Sequence, residues 1–168
     1  MAKLKGIDYK ILFALIKNCK ISDRQLAKEI GVSQPTITRR RARLEEDVID
    51  GYTAIPKWEK LGYEIFAVTL VKAKEVLGLK DKTKIAHDRG RKWLMKQPNV
   101  LIGGGCRGMG ANSFMISVHK SYSDFESFMV RYHRELGDMF SDSQTAIVNL
   151  GGSQILKPFH LKYLAETK

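Results

Sequence analysis

Two cysteines, Cys19 and Cys106, cannot build a disulfide framework, and each reads as a small buried hydrophobe in a reducing compartment. The four histidines, His87, His119, His133 and His160, never approach one another at ligand spacing, so no metal site is expected. No apolar run is long enough to span a bilayer and no signal-peptide pattern opens the chain, so a cytoplasmic protein is expected. A membrane surface is an unsuitable partner as well, because no amphipathic segment carries aromatic anchors. Nucleophile elbows, paired carboxylates and His/Asp/Ser groupings are missing, so no catalytic residue is expected.

Positive charge is plentiful. The net charge is +11, and it is unevenly spread. Residues 1–60 hold 13 Lys/Arg against 8 Asp/Glu, residues 71–98 hold 9 against 3, and residues 99–168 are near neutral with 7 against 6. A basic front and middle with a neutral tail fits a polyanion partner for one part and a protein or small-ligand role for the other.

Residues 22–49 organise that front. Ser22 and Gln25 have capping-box spacing, Leu26, Ala27 and Ile30 form one apolar stripe, and Gly31 supplies the left-handed stop. Ser33 is placed to cap a second helix with Pro35 in its first turn. At about 100° per residue, Ile37, Leu44 and Val48 share one face, while Thr38, Arg39, Ala42 and Arg43 share the other. An arginine run on a helix is often only a solvated face. Here it sits beside hydroxyls, an amide and a small Ala42, in the order helix, glycine turn, capped helix. That is the layout of a helix-turn-helix, whose second helix enters the major groove of duplex DNA.

Residues 7–18 carry Ile7, Ile11, Leu12, Leu15 and Ile16 at helical spacing and supply a packing helix, with Asp8 in its first turn. Arg41 interrupts the apolar face between Ile37 and Leu44; its stem covers the core edge while its head reaches Glu45 or a phosphate. Residues 52–55 read as a short strand and residues 56–62 as a linker. Beyond it come a strand at 64–74, a helix at 80–97 burying Ile85, Ala86, Trp93 and Leu94, and strands at 99–103 and 113–119. A helix at 122–136 and a strand at 145–150 follow, then an apolar tail at 155–164. The order β-α-β-β-α-β is that of a ferredoxin-like unit. Its open sheet face needs cover, for which a second copy is expected. An α+β chain follows, with a (winged) helix-turn-helix DNA-binding domain at 1–60 and a ferredoxin-like ligand-binding and oligomerisation domain at 61–168.

Gly103 to Gly108 spell G-x-G-x-x-G, yet the glycines lead into a strand rather than a helix, and no Gly-Lys-Ser/Thr follows. A dinucleotide or phosphate cofactor is therefore not expected, and a glycine-rich hairpin or bulge is. The same segment is the best candidate for a small-effector pocket. The basic residues Lys82, Lys84, Arg89, Arg91, Lys92 and Lys96 suit a soluble helix or DNA wrapped on an oligomer, the former being favoured.

The chain resembles the leucine-responsive regulatory protein/AsnC (Lrp/AsnC) family. That family reads roughly L-A-x-x-x-G-[LV]-S-x-x-T-V-x-x-R-I-x-x-L-E, then V-I-x-x-Y. This chain has Leu26-Ala27, Gly31-Val32-Ser33, Thr36-Ile37, Arg40, Leu44-Glu45, Val48-Ile49 and Tyr52, with Gly62-Tyr63 opening the second half. Arg41 and Asp47 depart from the pattern, and the family's glycine-rich effector loop appears as residues 108–112 with Asn112 in place of an acid. The resemblance implies a transcriptional regulator that acts as a dimer or a ring of dimers (up to an octamer) and answers to an amino-acid-like effector. A zwitterion there would meet only a neutral bond from Asn112.

Base-edge contacts are expected from Gln34, Thr38, Arg39 and Arg43, and phosphate contacts or capping from Ser22, Arg24, Ser33, Thr36 and Arg40. Effector contacts are expected from Gly105, Arg107, Gly108, Gly110 and Asn112. The rival readings are an enzyme of similar fold, such as a sirohaem decarboxylase, and a ligand sensor with a vestigial helix-turn-helix.

Overall fold

Buried aliphatic residues at helical spacing build the first unit. The computed structural model describes residues 4–74, 80–151 and 155–166, with residues 80–83 given by backbone alone. It falls into two units, Met1–Ile55 with Lys157–Lys168, and Pro56–Leu156. In the first, α1 (Gly6–Lys17), α2 (Asp23–Ile30) and α3 (Gln34–Asp47) enclose Ile11, Leu15, Leu26, Ile37 and Leu44, all at most 3 % exposed. Burying each such side chain is worth roughly 1.5–3 kcal/mol. The Ser22/Gln25 capping box forms as the spacing predicts, and Gly31 ends α2 in the left-handed region at φ 80°. A residue with a Cβ would be strained there.

Three local expectations are corrected. Ser33 stands at the N-cap of α3, but its hydroxyl bonds the Thr36 hydroxyl at 2.9 Å instead of a backbone N–H. Val48 lies beyond the last helical turn and is exposed, so Ile49 packs on the core in its place. Residues 52–55 form no strand, since no neighbouring strand offers them a ladder.

The tail was expected to belong with the second half. A 3-10 turn over Leu161–Ala165 instead packs on α1, with Ala165 buried beside Phe13 and Ala14. The apolar outer side of α1 gives a short apolar segment somewhere to dock.

The second unit is a four-stranded antiparallel sheet in the order β2-β3-β1-β4, formed by β1 (Ile65–Ala73), β2 (Val100–Gly108), β3 (Ala111–His119) and β4 (Phe140–Asn149). Helices α4 (Lys80–Leu94) and α5 (Tyr122–Leu136) complete the β-α-β-β-α-β order. Alternation along β1 sends Ile65, Ala67, Thr69 and Val71 to the helix side. There Trp93, Met115, Phe128, Tyr132, Leu136 and Phe140 fill the core with Val71. Residues Phe66, Val68 and Leu70 point to the other face, in register with Val118, Ile116 and Phe114.

Ile85 was expected inside and is 68 % exposed. In α4 it is Trp93 and Leu94, at the C-terminal end, that reach the core. The side chain of Lys82 lies outside the described residues.

Candidate nucleic-acid interface

Helix α3 divides cleanly by exposure. Ile37 and Leu44 face the core, whereas Gln34, Pro35, Thr38, Arg39 and Ala42 line a shallow open depression on the outer side. Arg39 and Arg43 are exposed, and Arg43 makes only a loose i,i+4 contact with Asp47 at 3.4 Å. Arg24, on α2, is exposed as well. The small Ala42 adds little height to this surface.

The remaining arginines of α3 are tied inward. Arg40 donates from Nη1 to Asp8 Oδ1 at 2.7 Å, joining α3 to α1. The Asp8 carboxylate also accepts the Lys5 N–H at 2.8 Å. Burial by itself would raise its pKa, but the bonds from Lys5 and Arg40 outweigh that and hold it below the usual carboxylate range. Arg40 was expected at a phosphate. Here its guanidinium is spent inside the unit, because a mostly buried carboxylate needs a counter-charge.

Arg41 forms the larger network. Its Nε donates to Glu45 at 2.9 Å, and its Nη1 donates to the Ile21 carbonyl and to Asp23 Oδ1, both at 3.1 Å. Tyr52 closes the group by donating to Glu45 Oε1 at 2.8 Å, with the guanidinium 5.9 Å from its ring centre. Hydrogen bonding to Glu45 first, and to Asp23 and Tyr52 after it, raises the guanidinium's pKa despite its burial. Tyr52 and Arg41 together lower that of Glu45. Of the two roles open to the Arg41 head, the structural one is what the structure contains.

Other candidates are partly committed too. Ser22 caps α2, its Oγ accepting the Gln25 N–H, and Ser33 and Thr36 pair with each other. The Thr38 hydroxyl lies 2.7 Å from Asp23 Oδ2. The acids that hold these side chains, Asp8 and Asp23, were not singled out from sequence as functional. Asp8 lies 32 positions from Arg40, too far for any local pattern to connect them.

In the second unit the glycine-rich segment forms the bulged hairpin expected of it, with its first glycines inside β2. Gly103, Gly104 and Gly105 pair with Met115, Phe114 and Ser113, a bulge follows, and the chain turns through Gly108, Met109 and Gly110 at positive φ. A Cβ at Gly103 would sit 3.1 Å from Leu94 Cδ1, so glycine there lets α4 lie close on the sheet. Gly105, Arg107, Gly108 and Gly110 are exposed along this hairpin.

Asn112 is not free to meet a ligand. Its Oδ1 accepts the Ala73 N–H at 2.8 Å and its Nδ2 donates to the Ala73 carbonyl at 3.2 Å, so the amide pairs with the end of β1 as a backbone would. Among the described residues no cluster of His, Cys, Asp and Glu suits a metal, and no helix is long and apolar enough to cross a membrane.

Comparison with known proteins supports this geometry. A family model described as winged helix-turn-helix DNA-binding matches residues 4–47. An uncharacterized HTH-type transcriptional regulator of Pyrococcus furiosus is 40 % identical over 72 residues, 42 % of this chain and 49 % of that protein. The chain thus matches about half the length of this relative. The leucine-responsive regulatory protein of Rhizobium meliloti is 29 % identical over 134 residues, covering 76 % of this chain and 78 % of that protein. Among solved structures, a Neisseria meningitidis transcriptional regulator in complex with L-Met superposes with TM-score 0.76 at 20 % identity, over 87 % of this chain and 90 % of that one. AsnC of E. coli gives 0.71 at 21 %, over 94 % and 98 %. The helix-turn-helix at the front of the chain matches known DNA-binding domains, and the chain as a whole is similar in sequence to a leucine-responsive regulatory protein and in fold to AsnC.

Proposed function

We propose that the chain is a sequence-specific DNA-binding transcriptional regulator, and not an enzyme, working as a two-fold dimer or a ring of dimers. The observation that carries this reading is the outer face of α3, where Gln34, Thr38, Arg39 and Ala42 surround a depression with no hydrophobic side chain over it except Pro35. Arg39 and Arg43 bring the donors that read guanine O6 and N7, and Gln34 the amide that reads adenine N6 and N7. Arg24 and the capped N-terminus of α2 meet phosphates. Two copies place two such helices at half-sites about 34 Å or a multiple apart.

The dimer forms through the open sheet face of Phe66, Val68, Leu70, Ile102, Phe114 and Ile116, which are in register across β1, β3 and β2. An apolar face of that extent needs covering, and a second copy covers it symmetrically.

On the effector side, Gly105, Arg107, Gly108 and Gly110 remain the expected contacts for an amino-acid-like ligand. Asn112 leaves that set, because its amide is used on Ala73. Titration calorimetry with L-amino acids tests this part, and heats indistinguishable from dilution for all of them would remove it.

A gel-shift titration against the DNA upstream of the protein's own coding sequence, repeated at several salt concentrations, tests the main reading. A discrete complex with a linear log–log salt dependence is expected. Equal affinity for that DNA and for random duplex would overturn the claim of specificity.

A further inference from the structure

The side chain of Thr38 lies at the centre of the outer face of α3, and its one hydroxyl hydrogen is already assigned. Oγ1 lies 2.7 Å from Asp23 Oδ2, with the Gln34 carbonyl at 3.2 Å as a second acceptor. A carboxylate only accepts, so the hydroxyl is the donor. Asp23 in turn cannot swing away. Its other oxygen, Oδ1, takes the Arg41 Nη1–H at 3.1 Å, and Arg41 is anchored by Glu45 and by the carbonyls of Ile21 and Cys19. The Arg41 and Asp23 side chains are only 20 % and 22 % exposed, which shields this ion pair from solvent screening.

We propose that Asp23, held by Arg41, presents Thr38 to DNA as a hydrogen-bond acceptor, so that the base facing it offers an amino group, N6 of adenine or N4 of cytosine. The proposal rests on the assignment of α3 as the reading helix. In the major groove guanine shows only acceptors, N7 and O6, and thymine shows O4. Either would set lone pair against lone pair at Thr38. Asp23 and Arg41 touch no base in this scheme. They are positioning residues, and the specificity they confer is exerted through Thr38.

Selection of binding sites from a random duplex pool by the full chain, read by sequencing, tests the proposal. Wild type is expected to enrich adenine or cytosine at one position of each half-site, by about fivefold, the discrimination that one neutral hydrogen bond supplies. In Asp23→Asn the new amide can donate to Thr38, whose hydroxyl hydrogen is then shared between the Gln34 carbonyl and the base. Enrichment of adenine or cytosine at that one position should therefore fall, with guanine or thymine gaining. Thr38→Val should flatten it, Thr38→Ser should keep it, and adding Asp23→Asn to Thr38→Val should change nothing more. Thermal melting checks that each variant is folded, and Thr38→Ser against Thr38→Val carries the test if Asp23→Asn is not. An unchanged preference in folded Asp23→Asn, or a shift that persists without the Thr38 hydroxyl, would overturn the proposal. A wild-type chain that enriches no motif at all would overturn the reading helix itself, and this inference with it.

Discussion

Arg40 and Asp8, 32 residues apart in the chain, meet at 2.7 Å with 26 % and 13 % of their side chains exposed, and they bolt α3 to α1. A charge pair this sheltered is costly to break from one side, because the partner left behind has lost its water as well. Arg40→Ala should therefore destabilise the protein by about 1–3 kcal/mol, visible as a lower thermal midpoint. Its effect on DNA binding should follow the folded fraction, with no change in salt slope. A normal midpoint with a slope reduced by about one would place Arg40 at a phosphate after all.

The same pair sets a pH limit. Asp8 has its pKa lowered on folding, so its contribution is in place above the unfolded carboxylate pKa of about 4 and is lost as pH falls through the folded value. Acid titration of stability in wild type should be steeper below about pH 4 than in Asp8→Asn. Parallel curves for the two proteins would refute the assignment.

Among the described residues Arg39 has no such internal partner, and it is exposed beside the depression. Arg39→Ala should cost ~1–3 kcal/mol on the specific site and relax the preference at one base pair. Equal losses on specific and random duplex would show that it contacts phosphate instead of a base.

How far these residues could be placed from sequence depended on how local their partners are. The stripe Phe125, Phe128, Tyr132 and Leu136 gave α5, and the capping box and Gly31 bounded α2, because each pattern closes within a few residues. The buried face of β1 was legible from its alternation, but the pairing register was not, because it depends on strands far along the chain. Nor was the length of β2, since glycines have little intrinsic strand preference and join this ladder only because β3 lies alongside. Ile85 was misplaced because helical periodicity gives a face without saying where along α4 the sheet makes contact. In α3 the outward projection was legible, but the division of its arginines into exposed and anchored ones was not. Asp8 and Asp23 reach Arg40 and Arg41 only after α1 and α2 have packed.

Asn112 makes a different kind of prediction, because both halves of its amide are used. Asn112→Asp keeps an acceptor for the Ala73 N–H but turns a carboxylate oxygen toward the Ala73 carbonyl. Loss of the donor and the repulsion that replaces it should destabilise the protein by about 1 kcal/mol. Amide exchange at Ala73 should accelerate relative to the middle of β1, and unaltered protection there would show that the pair is not maintained in solution.

His119 supplies the last test, in the second unit. Its ring is fully buried, edge-on to Phe125, with one nitrogen 2.9 Å from Ser117 Oγ, while Nδ1 has no hydrogen-bond partner among the described residues and lies 3.8 Å from Asp124 Oδ2. Burial lowers the imidazole's pKa, and the carboxylate of Asp124 only partly opposes it. A lowered pKa means that the unfolded chain takes up a proton first as pH falls, so stability is complete above about pH 6.5 and declines below it until the folded pKa is passed. Thermal midpoints measured from pH 8 to pH 5 should therefore fall in wild type. His119→Gln, which cannot titrate, should show a flatter profile from a lower starting point, since its amide must replace a well-packed ring. Asp124→Asn removes a carboxylate that favours the charged ring, so it should steepen the decline. If both variants track wild type across that range, the acid sensitivity of this unit arises at some group other than His119.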